Sequence, residues 1–262
     1  MKQLVSQLKK FVIKALNKAK QALQDYSHRN SPKKFTQPQH AVILMLKKKF
    51  KATYRDVVDY INEMPDVQKA MGLTTIPHYT TIQKFFQRIG ELNLLSLIEL
   101  YDCKAISVDS TGFPTYSSSY YDKIAKKSKK KRYQKMSIAI DCNKQLILNV
   151  IPSAGYKHDS KFFIPLTEPL NAEYFIAKAL IDIKDNVKTG IRAKLKRSNK
   201  RFSRMYHKRS LVESVISVIK RKFGDAVFYR CYSLLRKEIL LNVVCYNVYR
   251  EINQLIISFL QG

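Results

Sequence analysis

The chain has 262 residues, enough for one large domain or for a small domain joined to a medium one. Hydrophobic residues make up 45% of it, which excludes a disordered chain, while 48 Lys and Arg against 20 Asp and Glu leave a formal net charge of +28. A compact fold with that excess repels itself and is relieved by a polyanion, so nucleic acid is the expected partner.

Cys103, Cys142, Cys231 and Cys245 form no CxxC pair, and the histidines complete no zinc pattern. At this size and spacing a disulfide framework is not expected, and buried or incidental thiols fit a reducing cytoplasm. No apolar run reaches the length of a membrane span, and the Lys-rich start has no small-residue cleavage site, so neither a membrane partner nor a secretory signal is expected.

In chain order, Val5 to Tyr26 reads as an amphipathic helix with Leu8, Val12, Ala15 and Leu16 on one stripe. Ser27 to Gln39, with Pro32 and Pro38, reads as a loop. Ala41 to Lys51 is helical. Thr53 is placed to cap a helix through Tyr54, Val57, Val58 and Ile61 that stops before Pro65. Val67 to Met71 forms a short helix closed by Gly72, and a last one is capped by Thr80 or Thr81 and ends at Gly90. In that last helix Ile82, Phe85, Phe86 and Ile89 share one face, and Gln83, Lys84, Gln87 and Arg88 share the other. Short helices ending in one that exposes Gln, Lys and Arg fit a helix-turn-helix-like module, with these four residues as DNA contacts. A plain helical bundle with a solvated basic face has the same pattern.

From residue 101 the texture changes. KAISVDSTGF holds an apolar run ending in Asp109. KMSIAIDCN and KQLILNVIPS read as a hairpin turning at Asp141, Cys142 and Asn143. Between them Tyr116 to Tyr133 is a Ser-, Tyr- and Lys-rich basic loop. Asp159 to Leu166 is a short helix limited by Pro165, and ALIDI (179–183) is the expected fourth strand. Tyr206 to Phe223 and Leu234 to Leu260 are helices, the second expected to cover the sheet. The fold class is therefore α/β, with a helical region over 1–100 and a sheet-containing domain over 101–262.

On the helix from Tyr206, a step of about 100° per residue places Tyr206, Arg209, Glu213 and Lys220 within an arc of roughly 60°. Leu211, Val212, Val215, Val218 and Ile219 lie opposite. One carboxylate among cations on a rigid element suits a metal ligand near a phosphodiester; a solvated helix face with weak charge pairs has the same residues.

The spacing Tyr206, Arg209, Glu213, Lys220, set in YHKRSLVESVISVIKRKFG, resembles the Tyr-Arg-Glu-Lys signature of the DDE transposases of prokaryotic insertion sequences. SVDSTGF resembles that family's first catalytic Asp at a strand, GYKHDSKFF its segment leading into the helix after the hairpin, and the stretch from Tyr54 to Ile89 its N-terminal helical region. The resemblance implies a ribonuclease H-like mixed sheet flanked by helices, with strands and helices in the order β, β, β, α, β, α. It also implies an all-helical N-terminal DNA-binding region. It implies Asp109 and Glu213 as first and third metal ligands and Mg²⁺ or Mn²⁺ as cofactor. Arg209 and Lys220 would lie on DNA phosphates and Tyr206 against a base. The second carboxylate stays open: aligned without a gap, Lys178 stands at its place, while by strand pattern Asp182 takes it, with Asp185 a poorer fit. The implied activity is cutting and joining of element ends on double-stranded DNA, by a homodimer during reaction, in a prokaryotic cytoplasm at the nucleoid. A degenerate copy that only binds DNA is the alternative, and a junction-resolving nuclease of the same fold a weaker one.

Overall fold

The computed structural model describes residues 6–115, 133–155, 157–177 and 210–261. These divide into two compact units: residues 6–99, 114–115 and 219–261 form one, and 100–113, 133–155, 157–177 and 210–218 the other.

The first unit is helical. Helix α1 (Gln7–Ala22) is capped by the Ser6 hydroxyl, which accepts from the Lys9 amide, and buries Phe11, Val12, Ala15, Leu16 and Ala19. Helix α2 (Gln37–Phe50) begins inside the stretch expected to be a loop. The reason is local: Thr36 and Gln39 form a reciprocal capping box, and Pro38 sits in the first turn, where its missing N–H costs nothing. Helix α3 (Tyr54–Asn62) starts at Thr53 as expected, with Asp56 closing a second capping box. Helix α4 (Pro65–Met71) ends on Gly72, whose φ of 65° lies in the left-handed region that glycine enters freely. Helix α5 (Tyr79–Arg88) has His78 at its N-cap position, two residues before Thr80 and without a side-chain capping bond, and α6 (Glu91–Leu95) follows where no helix was expected.

In the second unit, strand β1 (Cys103–Pro114) runs on past Asp109. It is followed by β2 (Tyr133–Asp141) and β3 (Ile147–Ala154), an antiparallel hairpin. The hairpin turn is longer than expected: the Asp141 carboxylate accepts from the Asn143 amide at 2.8 Å, and Gln145 takes a φ of 55°. Helix α7 (Ser160–Thr167) packs on β2 and β3, and the Asn149 side-chain amide of β3 donates to the Leu166 carbonyl at 3.0 Å. Strand β4 (Ala172–Ala177) then pairs parallel with β1, giving the order β3-β2-β1-β4. This mixed α/β arrangement is consistent with a ribonuclease H-like transposase domain. The fourth strand is thus AEYFIA and lies before the ALIDI run; residues 179–183 fall outside the described residues. Ile106, Val108, Ala139 and Leu148 of the sheet share a core with Phe162, Leu166 and Leu170.

Helix α8 (Ser210–Phe223) follows, and α9 (Tyr232–Gln261) ends the fold. Expected to cover the sheet, α9 packs with α1, α2 and α6 in the first unit. Polar residues on its buried face explain the choice of partner. Glu238, 2% exposed at its side chain, pairs with Lys48 of α2 at 2.6 Å and accepts the Phe228 amide at 2.9 Å. Arg236 forks onto both oxygens of Glu91 in α6. Glu238→Ala would leave the Lys48 ammonium buried without its partner. A loss of ~3–5 kcal/mol of unfolding free energy is expected in urea denaturation, and a loss below ~1 kcal/mol would show that water reaches Lys48.

Candidate functional site

The central strand β1 brings Asp109 into the sheet-bearing unit. Its paired segment with β4 runs from Cys103 opposite Ala172 to Val108 opposite Ala177, the last residue of β4. Asp109 is the next residue along β1, half-buried. Side chains alternate along a strand, so Asp109 belongs to the face of Ala105 and Ser107. On that face Ala105 and Ile176 form a small apolar cluster with Cys142, and Leu211 in the first turn of α8 packs against it.

Glu213 sits in that same first turn and is exposed. Val212, Val215, Ile219 and Phe223 are buried, so the apolar stripe read from the sequence is the packed side and Glu213 lies off it. Asp109 and Glu213 therefore belong to one compact unit and to elements packed on the same sheet face. Lys220, two turns further on, is half-buried; burial lowers its ammonium pKa and the Asp225 carboxylate opposes that. Asp182, Tyr206 and Arg209, with Lys178 and Asp185, lie outside the described residues. Among the described residues no three His, Cys, Asp or Glu side chains come together as a metal-holding set. Asp109 and Glu213 do supply the hard carboxylate oxygens that Mg²⁺ or Mn²⁺ requires.

The segment read as GYKHDSKFF is held against the sheet. Lys135 of β2 pairs with Asp159 and donates to the Lys157 carbonyl at 2.8 Å. The ring of Tyr133 lies over Gly112 and Gly155: a Cβ at Gly155 would collide with it, and one at Gly112 would fall 3.0 Å away. This requirement for two glycines from distant parts of the chain had no local signal in the sequence. Asp141 is different in kind. It is 2% exposed and already accepts from the Tyr101 hydroxyl at 3.0 Å and the Asn143 amide, which makes it a structural carboxylate.

In the helical unit, Gln83, Lys84, Gln87 and Arg88 are all exposed on α5, while Ile82, Phe85, Phe86 and Ile89 are buried. The same unit holds a cavity of about 480 Å³ lined by Lys47, Lys48, Lys51, Tyr54, Phe228 and Tyr229 among others. Burial pushes the Lys47 ammonium down to about 8, the Lys48 charge adding to the shift and Glu238 and Asp56 opposing it. Its Nζ lies 4.8 Å from the centre of the Tyr54 ring. Sequence periodicity could not reveal this cluster, because its members come from the α2–α3 junction and the α8–α9 connection.

The family model of the transposase DDE domain matches residues 103–248, from the first residue of β1 into α9. The chain belongs to the DDE transposase-domain family. Among curated proteins, none matches it. The match to this DDE transposase family takes in both Asp109 and Glu213. No helix among the described residues is long and apolar enough to cross a membrane.

Proposed function

We propose that the protein is a DNA transposase that cuts and joins the ends of a prokaryotic insertion sequence by two-metal-ion phosphodiester transfer. The observation that carries this is the placement of Asp109 on strand β1, on the sheet face where the first turn of α8, which bears Glu213, packs. Membership in the DDE transposase-domain family supports it. Asp109, Asp182 and Glu213 are the proposed catalytic carboxylates. Bound to them, a pair of Mg²⁺ or Mn²⁺ ions would supply Lewis-acid polarisation of the scissile phosphate and charge neutralisation at the attacking and leaving oxygens.

The chain's own groups do the positioning. Glu213 is mounted on a helix whose opposite side is locked in the core, so its carboxylate is held on a rigid support. Arg209 and Lys220 hold phosphate oxygens, and Tyr206 stacks on a base near the element's end. The region 1–100 carries helix-turn-helix-like recognition of double-stranded DNA, and 101–262 carries the chemistry, in a homodimer that holds two ends during reaction. On α5, Gln83 and Gln87 offer donors and acceptors to DNA while Lys84 and Arg88 meet phosphates. Lys84→Ala and Arg88→Ala should each weaken DNA binding and lower the slope of log K against log salt by about one unit per lost phosphate contact. Unchanged slopes would remove α5 from the interface.

A second reading is a degenerate transposase that binds DNA without cutting it. It follows from the ungapped alignment with the family's motif, which puts Lys178 at the place of the second carboxylate. Strand cleavage of DNA carrying the element's terminal repeats, with Mg²⁺ or Mn²⁺, separates the two: nicked ends support the first, and intact but bound ends the second.

A further inference from the structure

The cavity at the α2–α3 junction and the α8–α9 connection joins one exposed aromatic ring to a set of lysines. Its volume of about 480 Å³ lies in the range of about 300–1,000 Å³ common to ligand clefts, enough for a nucleobase.

Phe228 is the informative member. It is 62% exposed, yet its backbone is pinned from three sides. Its own amide donates to the buried Glu238 carboxylate at 2.9 Å. Before it, the Val227 amide donates to the Pro114 carbonyl at 3.0 Å. After it, the Tyr229 hydroxyl meets that of Tyr54, and the Tyr229 ring lies 5.0 Å from that of Phe86. An aromatic ring left in water on so fixed a segment is preorganised for stacking, with little backbone freedom left to lose on contact. The charges of the lining do not cancel. Lys48 and Glu238 pair with each other at 2.6 Å. Asp225, the other acid, is exposed, and its charge acts on Lys220. Lys51 is exposed and Lys47 half-buried, and neither forms an ion pair among the described residues. Lys47 Nζ lies over the Tyr54 ring instead, 4.8 Å from its centre. Two cations without a carboxylate partner therefore stand beside the exposed ring, against one acid.

A ring that offers its face and cations that track a backbone are the two parts of a single-strand contact. Bases inside a duplex are stacked on one another and present no free face. We propose that this cavity takes an unpaired nucleotide of a DNA strand, its base stacked on Phe228 and its flanking phosphate held by Lys51 and Lys47. The inference rests on the DNA-binding reading of the chain and adds to it a contact outside the α5 face.

The test uses the full chain and two short labelled single strands of equal length and charge, one of thymidines and one abasic throughout. The wild type should bind the thymidine strand more tightly. Phe228→Ala should shrink the affinity ratio of the two strands by about fivefold or more, the loss of one stacked base. Because Phe228 is exposed and the substitution keeps its amide, the pinned backbone is retained. Phe228→Trp restores a stacking face and should restore the ratio, which a merely structural role would not require. Lys51→Ala should weaken both strands alike and lower the slope of log K against log salt by about 0.7, the value for one phosphate contact on a single strand. Equal affinity of the wild type for the two strands, a ratio unchanged in Phe228→Ala, or a Phe228→Trp variant that behaves as the alanine one would overturn the proposal. So would polyglutamate displacing the thymidine strand from the wild type but not from Phe228→Ala, which would make the cavity a seat for an acidic polypeptide. Duplex binding with a salt slope that depends on Lys84 would survive that failure and keep the DNA-binding reading separate.

Discussion

Glu213→Gln is expected to reduce strand cleavage by about 10³-fold or more while leaving DNA affinity within about twofold. The substitution is nearly isosteric and Glu213 is exposed in the first turn of α8, so it removes a charge without disturbing the packed stripe of Val212, Val215 and Ile219. On the proposed reading, losing this carboxylate would weaken the hold on the metal ions that would neutralise the developing charge, and ~4 kcal/mol of lost transition-state stabilisation corresponds to about 10³ in rate. On the same reading binding would rest on cations elsewhere, and it is measured separately by titrating labelled duplex at fixed salt. If cutting and binding fall together, Glu213 acts in holding DNA or the fold and is no metal ligand.

The second large effect concerns the middle carboxylate. Asp182→Asn should also reduce cleavage by about 10³-fold, because a third hard oxygen donor is lost. The competing assignment follows from the ungapped alignment, which puts Lys178 at the place of the second carboxylate. If Lys178 stands in the position of the catalytic Asp, the wild type is inactive and Lys178→Asp confers metal-dependent nicking. Activity in the wild type that is lost in Asp182→Asn, with no gain from Lys178→Asp, supports the three-carboxylate account. The reverse pattern supports the DNA-binding copy.

Local chemistry carried much of the fold in the sequence. Thr53 with Asp56, and Gly72 after Met71, mark helix ends through contacts within four residues, and both stand where expected. The two faces of α5 and the packed stripe of α8 follow from helical period alone. Pro38 misled because proline breaks a helix interior but is tolerated in a first turn, and the Thr36–Gln39 box decides between the two. The strand over AEYFIA was missed for a different reason: it is fixed by pairing with β1, almost seventy residues away in the chain, while ALIDI lies outside the described residues. Helix α9 is apolar enough to cover a sheet, yet Glu238 and Arg236 tie it to Lys48 and Glu91 through pairings that no local pattern announces. At the site, Asp109 and Glu213 came from the resemblance to the family's motifs, and their catalytic roles are proposals. The Tyr133 seat on two glycines had no local signal, because it arises from contacts between separate segments.

The most direct test is a cleavage assay with purified wild-type protein and duplex DNA carrying the element's own terminal repeats. Nicks at the repeat boundary are predicted with Mg²⁺ or Mn²⁺, none with chelator, and none with Asp109→Asn, which should bind the same DNA. Repeats that stay intact under saturating protein and metal would contradict the catalytic account.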